Sequence, residues 1–264
     1  MMNNTFLTAC SIALLLYSCK DEDVISNPEL TSTQATKDHL FAEQSFNDVA
    51  RIVEEGFLMP GIKGSFPSYN LINNSTLIIN FGTNCIYNQR LYSGKIITTY
   101  TGNYRDSLSV MTTTFDNYHV NNNLIQGERI VTNEGRNSNG NMWFTIAVNN
   151  ASITPPQNGT INWESNSTRE WINGQNTYYN FLDDIYKISG TASGNAANGN
   201  YFNVLINKAL EIHLDCYSSC LVKSGTAKIS PNGYPDRIIN YGNSICDCNF
   251  DISINGINYP ILIN

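Results

Sequence analysis

The sequence predicts an all-β fold: a long antiparallel meander curled into a sandwich or a partly open barrel, preceded by one short N-terminal helix. Three observations carry that expectation. Apolar and polar residues alternate with a period of two from about residue 75 onward, the pattern of half-buried strands. Asn-Gly pairs punctuate the alternation at Asn139-Gly140, Asn158-Gly159, Asn173-Gly174, Asn198-Gly199, Asn232-Gly233 and Asn255-Gly256. Asn-Gly is a strong hairpin signal, because both central residues of a type I′ turn need positive φ. No helix-length periodic segment falls between them, which argues against a parallel α/β sheet.

The elements follow in order. Leu40, Phe41, Val49, Ile52 and Val53, with acids between them, predict an amphipathic helix over 36–57. Thr36 is its expected N-cap and Gly56 its stop, with Met59-Pro60-Gly61 breaking the chain after it. The expected strands are Thr76–Phe81, Lys95–Thr101, Ser109–Tyr118, Leu124–Thr132, Met142–Ile153, Ile185–Thr191, Tyr201–Asn207, Thr226–Ser230, Arg237–Tyr241, Phe250–Ile254 and Tyr259–Ile263. Two stretches echo each other, Ile78-Ile79-Asn80-Phe81-Gly82 and Ile238-Ile239-Asn240-Tyr241-Gly242. They predict one strand–turn element used at two ends of the sheet.

Ahead of the helix lies a short uncharged apolar run, Thr5 to Ser18. It is too short to span a bilayer, which takes about 20 apolar residues, and its position fits a secretory signal. Its end, Leu16-Tyr17-Ser18-Cys19, resembles the lipobox of bacterial lipoproteins. The resemblance implies cleavage before Cys19, a diacylglycerol on its thiol and acylation of the freed amine. Several acyl chains at about 0.8 kcal/mol per buried methylene make a stable anchor. Lys20-Asp21-Glu22-Asp23 follows directly. It resembles the export signal of Bacteroidetes surface lipoproteins and implies an outer-membrane protein facing the exterior. The expected organisation is therefore a signal peptide (1–18), a lipid-anchored tether (19–35), the helix (36–57) and a single β domain (58–264).

Composition excludes one class of partner. The formal net charge is −7 and only 14% of residues are charged. An acidic chain lacks the basic footprint that phosphate contacts require, so no nucleic acid is expected. Asparagine is unusually abundant, and Gly, Thr, Tyr and Ile are frequent, a mix suited to strands and tight turns.

Once Cys10 and Cys19 are assigned to the signal and the anchor, Cys85, Cys216, Cys220, Cys246 and Cys248 remain. In an oxidising compartment disulfides are the default. Two clusters flanking one predicted hairpin would nest, Cys220 with Cys246 and Cys216 with Cys248. The spacing leaves the swapped connectivity open. Cys85 is then the odd thiol. A four-thiolate zinc site is disfavoured, because Cys246-x-Cys248 is tighter than the usual two-to-four-residue gap.

No catalytic residue is assigned, since the sequence contains no G-x-S-x-G, HExxH or phosphate-loop motif. No cofactor or metal is expected either. His213-Leu214-Asp215 has no nucleophile to complete a triad. The segment 163–186 holds the one constellation with binding character. Trp163, Trp171, Tyr178, Tyr179 and Phe181 lie there with Glu164, Glu170, Asp183 and Asp184. Aromatic faces beside carboxylates can bind or hydrolyse glycans, and Trp163, Trp171, Glu164, Asp183 and Asp184 are the candidate ligand contacts. The competing expectation is core aromatics with solvated acids in a long hairpin loop. Asp106-Ser107-Leu108 matches the short Asp-Ser/Thr-aliphatic O-glycosylation sequon, which makes Ser107 a candidate modification site.

The helix, the two Gly-Cys segments and the stretches SGKIITTYTGNYRD, TFDNYHVNN, RIVTNEGRN and STREWINGQNT together resemble an uncharacterised family of Bacteroidetes lipoproteins. That resemblance covers most of the chain after residue 36. It implies a β-rich build and a surface address, and no reaction. Family members often carry a cysteine before the first strand as partner to the one at Cys85, and this sequence lacks it. The expected role is a non-catalytic structural, adhesion or ligand-binding one, with a glycan or an envelope protein as partner and the membrane engaged through the lipid. The alternatives are a glycan-handling protein using 163–186 and a carrier of an apolar ligand inside a curled sheet.

Overall fold

A computed structural model of the protein describes residues 32–58, 67–157, 159–177, 180–216, 221–243, 245–247 and 249–262. One helix, α1 (Gln34–Leu58), precedes thirteen strands: β1 (Ser68–Ile72), β2 (Thr76–Tyr87), β3 (Arg90–Tyr100), β4 (Val110–Val120), β5 (Asn123–Arg136), β6 (Met142–Thr154), β7 (Ile161–Asn173), β8 (Ile185–Asn195), β9 (Tyr201–His213), β10 (Val222–Pro231), β11 (Arg237–Asn243), β12 (Asn249–Ile254) and β13 (Ile257–Leu262). Each strand pairs antiparallel with the next, in the order β1 to β13, and the sheet does not close. The all-β antiparallel meander read from the sequence is the observed fold.

Several hairpins use asparagine where glycine is the commoner choice. Asn73-Asn74, Asn88-Gln89 and Asn121-Asn122 all have positive φ at both positions. The last two are two-residue links, since Tyr87 pairs with Arg90 and Val120 with Asn123. Asn tolerates the left-handed region because its short amide can bond locally. Asn255-Gly256 is the matching Asn-Gly turn, with φ of 50° and 81°. At Asn139-Gly140, Asn198-Gly199 and Asn232-Gly233 only the glycine has positive φ, so those links are longer turns closed by a left-handed glycine. Asn158 lies outside the described residues.

Bulges curl the sheet. Ladder registers shift between Ser93 and Lys95, Gln126 and Glu128, Val148 and Ala151, Ile188 and Thr191, and Ser224 and Thr226. A bulge bends its strand and increases local twist, and one on most successive strands folds the sheet into a trough. Gly94 shows how tight the bend is, because a Cβ there would overlap the Asn117 carbonyl. The predicted echo is a bending device too. Asn80 Oδ1 accepts from the Gly82 amide at 2.9 Å, and Asn240 Oδ1 accepts from the Gly242 amide at 3.2 Å.

α1 fills the trough. Its 25 residues, about 37 Å at 1.5 Å per residue, run beneath the concave face. Leu40, Phe46, Val49 and Ile52 join one core with Leu77, Ile79, Tyr92, Phe144, Trp163, Phe202 and Tyr241 from strands across the sheet. The expectation of a one-sided amphipathic helix is corrected here. Asp38, His39, Asp48, Arg51 and Glu55 are buried as well, because the sheet covers the helix on several sides and polar residues find partners in the strands. Thr36 is not the N-cap. The helix begins at Gln34, whose amide lies 3.5 Å from Ser32 Oγ, and Thr36 Oγ1 is buried without a partner. Gly56 is no stop, since the helix continues to Leu58. A Cβ at Gly56 would come within 3.0 Å of Ile79 and Leu77, so glycine serves close packing on β2.

Two strands were not anticipated, β1 and β7. The second matters more, because 163–171 is not a loop but part of a central strand. Cys216 is joined to Cys246, with Cα atoms 5.3 Å apart. This is the swapped connectivity, and the nested pairing is corrected. Nesting needs both clusters to extend the β10–β11 ladder. Instead Cys216 sits in a 3-10 turn directly after β9 (Leu214–Cys216), and β11 ends at Asn243. Cys220 and Cys248 lie outside the described residues. Cys85 is a buried free thiol. The signal run, Cys19 and Lys20 to Asp23 also lie outside the described residues. Among the described residues no helix is long and apolar enough to cross a membrane.

Candidate ligand-binding cavity

Strand alternation decides where the aromatic and acidic candidates go. On β7 the residues Ile161, Trp163, Ser165, Arg169 and Trp171 face inward and are buried, while Glu164 is exposed on the outer face. Trp163 is 5% exposed. It stacks on Phe46 of α1 with centroids 5.6 Å apart and donates from Nε1 to His39 Nδ1 at 3.2 Å. Burial holds the His39 imidazole down to a pKa of about 3, so it accepts as a neutral ring. Trp163 and Glu164 therefore do not converge on any groove. As a glycan platform the pair is corrected: neighbouring strand residues point to opposite faces.

Trp171 and Asp184 do meet. Trp171 Nε1 donates to Asp184 Oδ1 at 3.2 Å, and Tyr186 Oη donates to Asp184 Oδ2 at 3.0 Å. Gly174 makes the approach possible, because its φ is +89° and a Cβ would overlap the Asp184 carboxylate. Burial, with Glu54 nearby, pushes the Asp184 carboxyl up to about 7. Asp183 is half-buried and accepts from Thr177 Oγ1 at 2.7 Å, apart from Trp171. Glu170 is held by the amides of Asn137 and Asn141 at 2.8 and 2.9 Å, which lower its pKa. Tyr178 and Tyr179 lie outside the described residues. Ser107 is exposed in the β3–β4 connection.

Trp171, Asp184 and Tyr186 form one wall of a cavity of about 290 Å³. The other walls come from the C-terminal half of α1 (Val53, Glu54, Phe57), the β3–β4 connection (Tyr104 to Asp106) and inward residues of β4, β5 and β7 (Met111, Arg129, Arg169). Its mouth carries the exposed Asn103, Asp106 and Thr177. The connection is pinned over the site in two places. Asn133 Nδ2 donates to the Tyr104 carbonyl at 2.9 Å, and Arg105 donates to the Gln175 carbonyl while lying 4.6 Å over the Trp171 ring.

The interior electrostatics are unusual. Arg169, 5% exposed, pairs with Glu54 at 2.6 Å, bonds Tyr104 Oη and stacks 4.0 Å over Tyr186. Arg129 is 8% exposed, and its side chain makes no hydrogen bond or ion pair within 4 Å among the described residues. Burial lowers its pKa to about 10, and Glu54 opposes that shift. Glu54 pairs directly with Arg169 and acts on Arg129 only at longer range. A volume near 300 Å³ with aromatic walls and a few convergent polar groups has the character of a small-molecule site.

The candidate metal cluster of Asp215, Cys216 and Cys246 offers no thiolates, because the two sulfurs are joined. His213 closes β9 and contacts Glu211 at 2.7 Å and Asp215 at 3.8 Å. Arg129 and Glu54 were missed in the sequence. The available signal was a charge at an inward strand position, between Ile125 and Val131, hidden by the bulge at Gly127.

Comparison with known proteins yields no matching family model, no matching curated protein and no matching solved structure.

Proposed function

We propose that this chain is a lipid-anchored surface protein that captures a small ligand in the cavity between α1 and strands β4–β8, without catalysing a reaction. The cavity carries the reading: buried arginines and aromatic rings line an open cavity of about 290 Å³. The address rests on Leu16-Tyr17-Ser18-Cys19, the acidic run after it and the likeness to Bacteroidetes lipoproteins. The Cys216–Cys246 crosslink agrees with an oxidising compartment.

Of the two alternatives, glycan handling keeps Trp171 and Asp184 but loses Trp163 and Glu164 as contacts. A carrier of a long apolar chain has less support, since α1 occupies the trough and the remaining cavity is lined with charges. A screen of small neutral and charged aromatic compounds, read by tryptophan fluorescence and native mass spectrometry, tests the binding role. Failure of the whole screen, with unchanged fluorescence, rejects it. Cys19→Ala tests the address: it should block processing and release or mislocalise the protein. Mature protein still accumulating in the outer membrane would reject the anchor.

A further inference from the structure

The free guanidinium of Arg129 specifies the ligand class. We infer that the cavity recognises a small aromatic monocarboxylate, with Arg129 binding the carboxylate and Trp171, Tyr104 and Phe57 enclosing the ring. The inference rests on the binding reading above and deepens it.

The argument begins with cost. A buried guanidinium without hydrogen bonds is unfavourable, yet Arg129 is more than nine-tenths buried and unpartnered. Nor is it sealed in. Arg169 Nε is fully enclosed without a partner, whereas no Arg129 nitrogen is. Arg129 lines this cavity and also a smaller one beside His39 and Glu43. A planar fork of donors matches a carboxylate, which it binds with two parallel hydrogen bonds.

The neighbours restrict the charge. Glu54 is committed to Arg169, and Asp184 sits on the Trp171 side of the same cavity. Both, with Asp106 at the mouth, would repel a dianion such as a phosphate monoester more strongly than a single negative charge. The walls restrict the body. Trp171, Tyr104, Phe57, Phe181 and Tyr186 all line the cavity, and aromatic rings prefer offset or edge-on contact with other rings. The volume, at the small end of ordinary ligand sites, suits a single ring with a short acidic arm and excludes a long acyl chain.

The test uses the full chain in detergent, with micelle-only blanks, and three probes: phenylacetate, its neutral isostere phenylacetamide, and phenyl phosphate. Calorimetry should show phenylacetate binding at least tenfold more tightly than either of the others. Arg129→Gln should abolish the advantage over the amide. Arg129→Met should do the same and also raise the melting temperature of the ligand-free protein, a change that a purely structural arginine would reverse. Equal binding of acid and amide overturns the carboxylate assignment and leaves the cavity reading intact. Binding of neutral fragments but none of the three probes overturns the ligand class alone. Silence from every probe and every fragment overturns both. A lowered melting temperature in Arg129→Met, with the acid preference retained, shows that Arg129 serves packing and rejects the assignment.

Discussion

Glu54 and Glu55 are neighbours on α1, about 100° apart around its axis, and stand in different electrostatic situations. On the Glu55 flank every charge is answered. Arg51 bonds Asp48 at 2.9 Å and Glu55 at 3.2 Å, Arg90 reaches Asp48 at 3.5 Å, and Tyr92 Oη donates to Asp48 at 2.6 Å. Tyr87 Oη caps Glu55. Two acids meet two bases, and the ring of Tyr92 stacks on Phe81 beside them. On the Glu54 flank Glu54 pairs with Arg169, and the Arg129 side chain has no hydrogen bond beside an open volume that Asp184 and Asp106 also line. A closed network holds the helix in its trough. A buried donor left without a hydrogen bond beside an open volume is where a ligand gains most.

Mutations on the two flanks should therefore differ in sign. The largest effect belongs to the closed flank. Arg51→Ala leaves Asp48 and Glu55 buried and under-compensated, and should lower stability by about 3–5 kcal/mol in urea unfolding. A loss below about 1 kcal/mol would show that the network contributes little. Next, Cys216→Ser opens a loop with a sequence separation of 30. The expected loss is about 3–4 kcal/mol in the chain-entropy model.

Acidity separates the flanks further. The Asp184 pKa is raised in the fold from 3.8 to about 7. Its stabilising contribution is full below pH 3.8 and is lost as pH rises toward 7. Glu43, buried against Tyr241, moves the same way, from 4.5 to about 7. His39 runs opposite: its contribution is full above 6.5 and is lost as pH falls toward 3. Asp184→Asn should thus gain on the parent protein by on the order of 3 kcal/mol between pH 4 and 7.5. A difference independent of pH would show that the Asp184 carboxyl is not raised.

The smallest effect is expected for Arg129→Met on the open flank, a gain of about 1 kcal/mol without ligand, since it removes a buried charge with no hydrogen-bonded partner. A loss as large as that of Arg51→Ala would erase the distinction between the flanks.

Much of the fold was legible in local pattern. Alternation located eleven of the thirteen strands, and turn chemistry signalled the meander. β7 was misread because Ser165, Ser167 and Arg169 occupy inward positions where apolar residues were expected. The Asn-Asn turns carry a weaker local signal than Asn-Gly, although asparagine satisfies the same positive φ. The site was half legible. Trp171 and Asp184 stood among the candidates, whereas Trp163 and Glu164 belonged to the core and the outer face. Arg129 and Glu54 carried no local signature, because their significance lies in a pairing that fails across 75 residues of chain.

By itself the sequence determined the antiparallel meander, the acidic character and the spacing of the cysteines. These depend on periods of two, on backbone preferences at turns and on composition, all of which act within a few residues. Only the tertiary structure decided that the trough would close over α1, that Cys216 would reach Cys246 and that Arg129 would be left without a partner. Bulges on successive strands set the curvature, and curvature determines which inward side chains meet. That sum runs over the whole sheet, and no short window of sequence contains it.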